Sequence, residues 1–142
     1  MIQTLLAWLK TYPGWEQERL WVDRTDPAPG NIGLYPTGMR ELSRREDVLG
    51  SVTVRNRQSF TLCRVTAGQT DGWASAQWIA GLQEWVQSQS LRGLAPVFGD
   101  SPGTERILAQ AGRLQSACNA GTVKYTVSLT VEYEKTIQKK GE

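Results

Sequence analysis

The stretch "GTVKYTVSLTVEYEK", residues 121–135, alternates apolar and polar side chains with a period of two. From Val123 to Tyr133 every odd position is apolar, and every even position from Thr122 to Glu134 is polar. Such alternation predicts a strand with one buried and one solvated face. About twelve residues at ~3.3 Å each give about 40 Å, twice the usual strand length and longer than the body of a compact domain of this size. We therefore expect the strand to extend past its own core.

The stretch "SVTVRNRQSFTLCRV", residues 51–65, predicts a second long strand. Its inner face becomes polar at Asn56 and Gln58, while Arg55 and Arg57 point the other way. An inner face that turns polar in mid-strand indicates that the strand leaves the core there or meets another chain. The alternative is a hairpin turn at Asn56 and Arg57, although neither residue is followed by a glycine that would favour it.

Shorter segments complete the predicted fold. The spacing of "IQTLLAWL" indicates a helix that Pro13 and Gly14 end, and "WIAGLQEWVQSQ" indicates an amphipathic helix with Asp71 as its N-cap. "LWVD" reads as a short strand, and Pro36 with Gly38 is expected to interrupt the extended "IGLYPTG". "ELSRREDVLG" reads as a strand that ends near glycine 50, and "RILAQAGRLQSAC" as one with a bulge at its internal glycine.

These elements predict a single α+β domain over residues 1–135, followed by a charged tail, residues 136–142, expected to be disordered. The sheet is expected to be antiparallel for the most part, with a mixed sheet as the alternative, and to carry long β-ribbons. The N-terminal helix and the tryptophan-bearing helix would cover one face. The predicted core consists of Leu5, Leu6, Leu9, Val22, Phe60, Leu62, Trp78, Ile79, Leu82, Trp85, Val127 and Leu129.

The composition argues against an enzyme. The chain has no histidine, which removes the commonest general base and the commonest metal ligand. Cys63 and Cys118 form no CxxC pair, so we expect small buried side chains rather than a zinc site. No phosphate-binding glycine loop is present, and no carboxylate pair stands out from solvated surface charge. We therefore predict no catalytic residues, no metal and no cofactor.

The sequence also predicts neither a membrane span nor a secretory signal. No apolar run approaches the ~20 residues that a membrane span requires. The N-terminus lacks the basic lead, long apolar stretch and cleavage site of a signal peptide. We expect the protein to be cytosolic where it is made.

Arginines concentrate on the predicted ribbon between positions 40 and 64: Arg40, Arg44, Arg45, Arg55, Arg57 and Arg64. Arginine suits phosphate backbones, carboxylates of a protein partner, or simple protection of an edge strand against aggregation. Interleaved Glu41, Glu46 and Asp47 reduce the net positive field, and the whole chain carries only +2. Edge protection or a protein partner is therefore favoured over direct DNA binding.

In chain order the segments "LAWLKTYP", "LWVD", "IGLYPTG", "LSRREDVLGSVTVRNRQSFTL", "WIAGLQEWVQSQ" and "TVKYTVSLTVEYEK" resemble a group of small proteins of tailed bacteriophages and prophages. These proteins are variously described as minor capsid, tail-completion or tail-terminator proteins. The resemblance covers residues 2–135, and "YPTG…LSRREDVLG" running into the long strand is its most specific part.

The resemblance implies an α+β fold and assembly into a ring, commonly a hexamer, at the end of the tail tube. Such a ring stops tube polymerisation and provides the surface to which the filled head docks. The implied partners are other copies of the chain, the tail tube protein and a head-completion or connector protein, while DNA passes through the lumen without specific binding. The implied location is the virion tail end or neck, reached from the host cytoplasm. No catalytic residues are implied.

An overhanging ribbon exposes side chains and unpaired backbone that a neighbouring subunit can cover. The sequence therefore places candidate subunit or partner contacts in the exposed middles of the ribbons and in the loop around residues 68–71. The candidates are Arg55, Arg57, Gly68, Asp71, Lys124 and Glu132. Two alternatives remain: a head-tail connector or other neck component, and a small nucleic-acid-binding domain that uses the arginine-bearing ribbon.

Overall fold

The computed structural model describes residues 2–15, 19–23, 30–67, 72–100, 103–117 and 122–138. The elements in these ranges are α1 (Ile2–Leu9), β1 (Arg19–Val22), β2 (Asn31–Glu46), β3 (Ser51–Ala67), α2 (Gly72–Leu91), β4 (Arg106–Ala117) and β5 (Thr122–Gln138). The strands form one sheet in the order β1-β2-β3-β5-β4. β1 runs parallel to β2, and every other neighbouring pair is antiparallel. The predicted α+β fold with a mostly antiparallel sheet is confirmed.

Both helices cover the same face of the sheet. Leu5 and Leu9 of α1 and Leu82 of α2 pack with Leu62 of β3 and Val127 of β5 in one hydrophobic cluster. Because successive side chains of a strand point to opposite faces, the alternation along β5 sends its apolar residues to the helices and its polar residues away from them. We call these two sides of the sheet the helix-side face and the helix-free face.

Aromatic residues join the two helices. The Trp8 and Trp85 ring centroids are 4.6 Å apart, and the Tyr12 ring meets Trp78 edge-on at 5.6 Å. The indole N–H of Trp8 donates to the Leu94 carbonyl oxygen at 2.8 Å, which ties α1 to the segment after α2. Trp78 and Trp85 of α2 thus contact α1 and the residues that follow it, and much of their apolar area stabilises this helix contact.

Most residues of the predicted core are buried: Leu5, Leu9, Phe60, Leu62, Trp78, Ile79, Leu82, Val127 and Leu129. Leu6 and Trp85 are partly buried and pack against this cluster. The prediction for Val22 is wrong, because its side chain is 38% exposed. Val22 is the last residue of a four-residue edge strand, and at Asp23 the chain turns away through a left-handed backbone conformation (φ 59°).

The long strands are longer than the sequence predicts. β5 continues to Gln138, so residues 136–138 belong to the sheet rather than to the tail, and residues 139–142 lie outside the described residues. β2 also continues through Pro36 and Gly38, where a bulge absorbs the irregularity. Pro36 is tolerated because β1 ends at the register of Leu34, leaving the missing N–H of the proline at an open edge.

Two further details of the strands follow from their pairing. β3 passes straight through Asn56, which is paired on both sides, so the alternative hairpin turn at that position is wrong. The predicted bulge in β4 is confirmed by a register shift between Gln110 and Arg113. At this bulge Ala111 adopts a positive φ of 57°. Cys63 is buried as expected, and Cys118 lies outside the described residues.

Candidate functional site: an overhanging three-stranded ribbon

β2, β3 and β5 continue past the ends of β1 and β4, the two outer strands of the sheet. β1 pairs with β2 only at residues 31–34, and β4 pairs with β5 only as far as the Arg106–Glu132 pair. Beyond the Arg106–Glu132 pair, residues 41–56 and 133–138 pair with each other as a three-stranded ribbon, which we call the overhang. At ~3.3 Å per residue the β5 part of the overhang reaches about 20 Å past β4.

A tight turn forms the tip of the overhang. The side-chain Oδ1 of Asp47 accepts the amide N–H groups of Leu49 (2.9 Å) and Ser51 (3.0 Å). Gly50 has a φ of 86°, a conformation that glycine adopts without steric cost. The turn therefore holds Val48 and Leu49 outward, where they are 100% and 86% exposed.

The exposed apolar surface at the tip extends beyond the turn itself to the end of β5. Ile137 at the end of β5 is 53% exposed and pairs with Val52, which follows the turn. We call Val48, Leu49 and Ile137 the apolar tip. Single exposed apolar side chains are normal in soluble proteins, but a group at the end of a projecting element is typical of a contact surface.

A second bulge shapes the β2 part of the overhang. The register shift between Glu41 and Ser43 inserts one extra residue, so that Glu41 and Arg44 share the helix-side face. The Arg44 guanidinium donates to the Glu41 carboxylate through Nη2 (2.7 Å) and Nε (3.0 Å). This hydrogen bonding lowers the pKa of the Glu41 carboxyl. The pair is exposed, so it contributes little to stability.

The helix-free face carries an ion network at the base of the overhang. The Glu132 Oε2 atom accepts from Arg57 Nη2 (2.8 Å) and Nε (3.2 Å), while Oε1 accepts from Arg55 Nη2 (3.4 Å). Arg55 also lies 3.6 Å from Glu134 and donates to the Thr104 carbonyl oxygen. Burial acts to raise the pKa of Glu132, but the hydrogen bonds and charges of the two arginines outweigh it and leave the pKa below its ordinary value.

The helix-side face explains why β3 turns polar in its middle. Asn56 is buried opposite Tyr133 on β5. Burial raises the pKa of the Tyr133 phenol, and a hydrogen bond with Asn56 acts in the opposite direction. The Tyr133 hydroxyl also donates to the Met39 sulfur (3.5 Å), and the Phe98 ring meets Tyr133 edge-on. The polar side chain therefore satisfies a buried hydroxyl within the same molecule.

The segment after α2 closes the outer edge of β5. The Asp100 amide donates to the Glu134 carbonyl oxygen (2.9 Å), and Asp100 Oδ2 accepts the Thr136 amide (2.8 Å). Glu105, which is buried, holds this segment by accepting the amides of Phe98 and Gly99 through one carboxylate oxygen. This side of the overhang therefore offers few free backbone groups.

The outer edge of β2 differs, because within the described residues no strand pairs with it beyond residue 34. Its exposed side chains include Arg40, Glu41, Arg45 and Glu46, and two bulges interrupt it. Charges and bulges protect an open edge from uncontrolled strand addition. A partner at this edge is therefore expected to make side-chain contacts with both signs of charge.

A surface hollow of about 510 Å³ lies beside the base of the overhang. It is lined by Arg55, Ser90, Leu91, Gly93, Gly103, Thr104, Glu105, Arg106 and Glu134. Leu91, at the end of α2, is 82% exposed, and Leu94 and Val97 in the following segment are also exposed. The hollow thus carries one large apolar side chain, Leu91, at the end of α2 and charged residues, among them Arg106 and Glu134, from the sheet.

The candidate contact residues do not form one group. Arg55, Arg57 and Glu132 lie together, but they pair with one another and are only partly exposed, so the expectation that they project freely is wrong. Register explains this, because β3 and β5 place opposite charges side by side on the same face. Lys124 lies eight residues along β5 from Glu132, opposite Val65 and far from the overhang. Gly68 and Asp71 lie outside the described residues.

Sequence reasoning missed the turn that forms the tip. It assigned residues 41–50 to one strand and did not single out Val48 or Leu49 as a contact surface. The signal was present in "EDVLGS", residues 46–51. An aspartate at the first position and a glycine at the fourth position of "DVLG" are typical of a tight turn. The alternation of apolar and polar residues along the strands gave no indication that Val48 and Leu49 would be exposed together at a tip.

The described residues contain no group of three or more Cys, Asp or Glu side chains that could hold a metal ion. None of the helices in the described part of the chain is long and apolar enough to span a membrane. What the overhang offers chemically is a charged and partly apolar surface. No model of a known protein family matches the sequence, and a search of curated protein sequences found no match either.

Proposed function

We propose that this protein is a non-enzymatic structural component of the tail end of a tailed bacteriophage or prophage. In this proposal copies of the chain form a ring that caps the tail tube and provides the docking surface for the head. Its partners are other copies of itself, the tail tube protein and a head-completion or connector protein. The resemblance of residues 2–135 to tail-terminator and tail-completion proteins motivates the specific role.

The overhang is the observation that carries the proposal. The overhang projects about 20 Å past its neighbour strand. Although Val54 and Tyr133 near its base are buried, its outer part with Val48, Leu49 and Ile137 adds nothing to the core. It ends in an apolar tip with Val48 and Leu49 exposed, which costs solubility unless something covers it. A second copy or another subunit of the same assembly supplies such a cover.

The two edges of the overhang support a cyclic arrangement. The β5 edge is closed by Asp100, whereas the β2 edge is open and charged. A neighbour that packs one of these unlike flanks against the other makes a heterologous contact, in which two different surfaces meet. Heterologous contacts form a closed ring when the rotation between neighbours divides a full turn.

Particles from a host that lacks the gene test the role. Electron microscopy is expected to show tails of uncontrolled length if the protein terminates the tube. Tails of normal length without attached heads would instead assign it to the head-tail connection, the alternative neck role. Intact, infectious particles would contradict both assignments.

Light scattering on the purified protein tests the ring itself. We expect a discrete oligomer whose mass is a multiple of 15.8 kDa and whose fraction rises with protein concentration. A chain that stays strictly monomeric at millimolar concentration contradicts self-assembly through the overhang.

A second candidate is binding to nucleic acid through the helix-free face. By register Arg40, Arg45 and Arg106 lie on this face, and none of them pairs with a carboxylate among the described residues. Arginine and hydroxyl side chains are common contacts to phosphate. This candidate predicts affinity for duplex DNA that falls steeply with salt, and absent or salt-insensitive binding excludes it.

A further inference from the structure

Two exposed apolar surfaces lie at different places on the same molecule. One is the apolar tip, with Val48 and Leu49 held outward by the turn. The other is the wall of the hollow, where Leu91 is 82% exposed and Leu94 follows it on the surface. Each surface is too small to form an interface alone, since a stable contact buries about 800 Å² per partner. Together with the faces of the overhang they extend over a much larger area.

The tip cannot fill the hollow of its own chain. Ser90, on the wall of the hollow, accepts the amide of Ile107 (3.1 Å), and Ile107 pairs with Val131. Val48 and Leu49 lie beyond the Ser51–Gln138 pair, which is seven residues farther along β5 than Val131 and four farther than Glu134, a lining residue of the hollow. These separations are about 23 Å and about 13 Å along a continuous, paired strand. Only a different molecule can bring a tip to this hollow.

A carboxylate at the tip is complementary to two arginines at the hollow, whose lining also carries Glu105 and Glu134. Asp47, directly before the exposed pair, uses Oδ1 for the turn, and its Oδ2 has no partner among the described residues. Arg106 lies on the wall of the hollow and Arg92 follows Leu91 in the chain. Neither arginine side chain has a partner within the described residues. A tip placed in the hollow brings the free carboxylate oxygen of Asp47 toward unpaired guanidinium groups.

We infer that the apolar tip of one copy docks in the hollow of a second copy, with Val48 and Leu49 against Leu91 and with Asp47 near Arg92 or Arg106. The contact is head-to-tail, because it joins two different surfaces of identical chains. This inference rests on the self-assembly proposed above and adds the surface through which it occurs. The area requirement places the overhang beside the tip in the same contact.

Disulfide crosslinking between different chains tests the contact. The background is C118S, and the remaining Cys63 is buried. A tagged V48C chain is mixed with an untagged L91C chain and oxidised, and the product is weighed by mass spectrometry. We expect a tagged–untagged dimer as the main product, and a ladder of linked chains from the V48C/L91C double variant. V48C mixed with L108C, on the helix-free face, is the matched control and should give little product.

Sedimentation measures the energetic importance of the tip. L49S is expected to weaken self-association at least tenfold, because it removes an exposed apolar side chain that the contact would bury. L108S is the control, since Leu108 is also exposed, at 42%, but belongs neither to the tip nor to the lining of the hollow. Both substitutions lie on the surface, so circular dichroism should show the folded state for each.

The outcomes separate this inference from the proposed function. The head-to-tail contact is overturned if the wild-type protein forms an oligomer but crosslinking joins only V48C to V48C, or if L49S leaves the self-association unchanged. Either result leaves the structural role in place. The head-to-tail contact and the structural role are both supported if the wild-type protein self-associates, L49S abolishes this association, and V48C is linked to L91C. A wild-type chain that remains monomeric at every concentration contradicts both.

Discussion

Asp100 and Thr136 are joined across the outer edge of β5: the Thr136 amide donates to Asp100 Oδ2 at 2.8 Å. The Asp100 amide donates in turn to the Glu134 carbonyl oxygen, so a short segment occupies the place of a sixth strand. Gly99 is required beside it, because a Cβ at that position would overlap the Glu134 carbonyl oxygen. The edge is thus closed by a loop of the same chain, which is one of the ways in which proteins protect an exposed edge.

Substituting Asp100 by alanine should open this edge. D100A is expected to lower the free energy of unfolding by about 1 kcal/mol, the usual contribution of one hydrogen bond. It should also accelerate hydrogen exchange of the Thr136 amide, measured by NMR. D100N keeps an acceptor oxygen and serves as the control. Unchanged exchange at Thr136 in D100A would show that the bond does not protect the edge.

Removing the charge of Glu132 should destabilise the protein near neutral pH. E132Q loses charge-assisted bonds from Arg57 and Arg55, which corresponds to about 1–3 kcal/mol in the free energy of unfolding. The folded-state pKa of Glu132 lies below its ordinary value. Its stabilising contribution is therefore complete above the unfolded-state pKa and disappears as the pH falls through the folded-state pKa.

Urea unfolding at several pH values measures this effect. The stability difference between wild type and E132Q should be largest near pH 7 and should shrink below about pH 4. E84Q, at an exposed position of α2 with no ion pair to a described residue, is the control and should follow wild type throughout. A difference that is constant from pH 7 to pH 3 would contradict the role of the Glu132 charge.

Glu105 should tolerate glutamine better than alanine. E105A leaves the buried amides of Phe98 and Gly99 without an acceptor and is expected to cost about 2–4 kcal/mol in unfolding free energy. E105Q retains one carbonyl oxygen for both amides and should cost about 1 kcal/mol. Thermal unfolding of the two variants checks the order, and an equal loss would show that the charge, rather than the acceptor, holds the segment.

Two neighbouring substitutions in the β4 bulge, G112A and A111G, are expected to change the free energy of unfolding in opposite directions. In G112A the new Cβ would overlap Ile79 Cγ2 and the Gln83 amide oxygen, so we expect a loss of about 1–3 kcal/mol. In A111G the left-handed conformation at Ala111 loses its steric cost, so we expect a gain of up to about 1 kcal/mol. Chemical denaturation measures both, and a stabilising G112A would mean that α2 shifts freely over β4.

Local pattern predicted the strands well where one face is dry. The alternation of residues 121–135 indicated β5, and the apolar positions of β3 indicated its inner face. The same rule failed for Val22, because an apolar residue at the end of an edge strand has nothing above it to bury against. Pattern also overestimated the effect of Pro36, since a proline disrupts only a strand that has a neighbour on that side.

The candidate site depended on long-range register, which the sequence does not contain. That Arg57 meets Glu132 follows from the pairing of β3 with β5, and a slip of one residue would have placed them on opposite faces. The Glu41–Arg44 pair likewise requires a bulge, because residues three apart do not share a face in a regular strand. The turn at residues 47–50 was readable from its aspartate and glycine, but its apolar exposure was visible only in three dimensions.

A contact that seats the tip of one copy in the hollow of the next would give growth a direction. Every linear row of copies joined in this way would end in one bare tip and one empty hollow, whatever its number of members. Closure of the row, in which the last member meets the first, would leave neither surface bare.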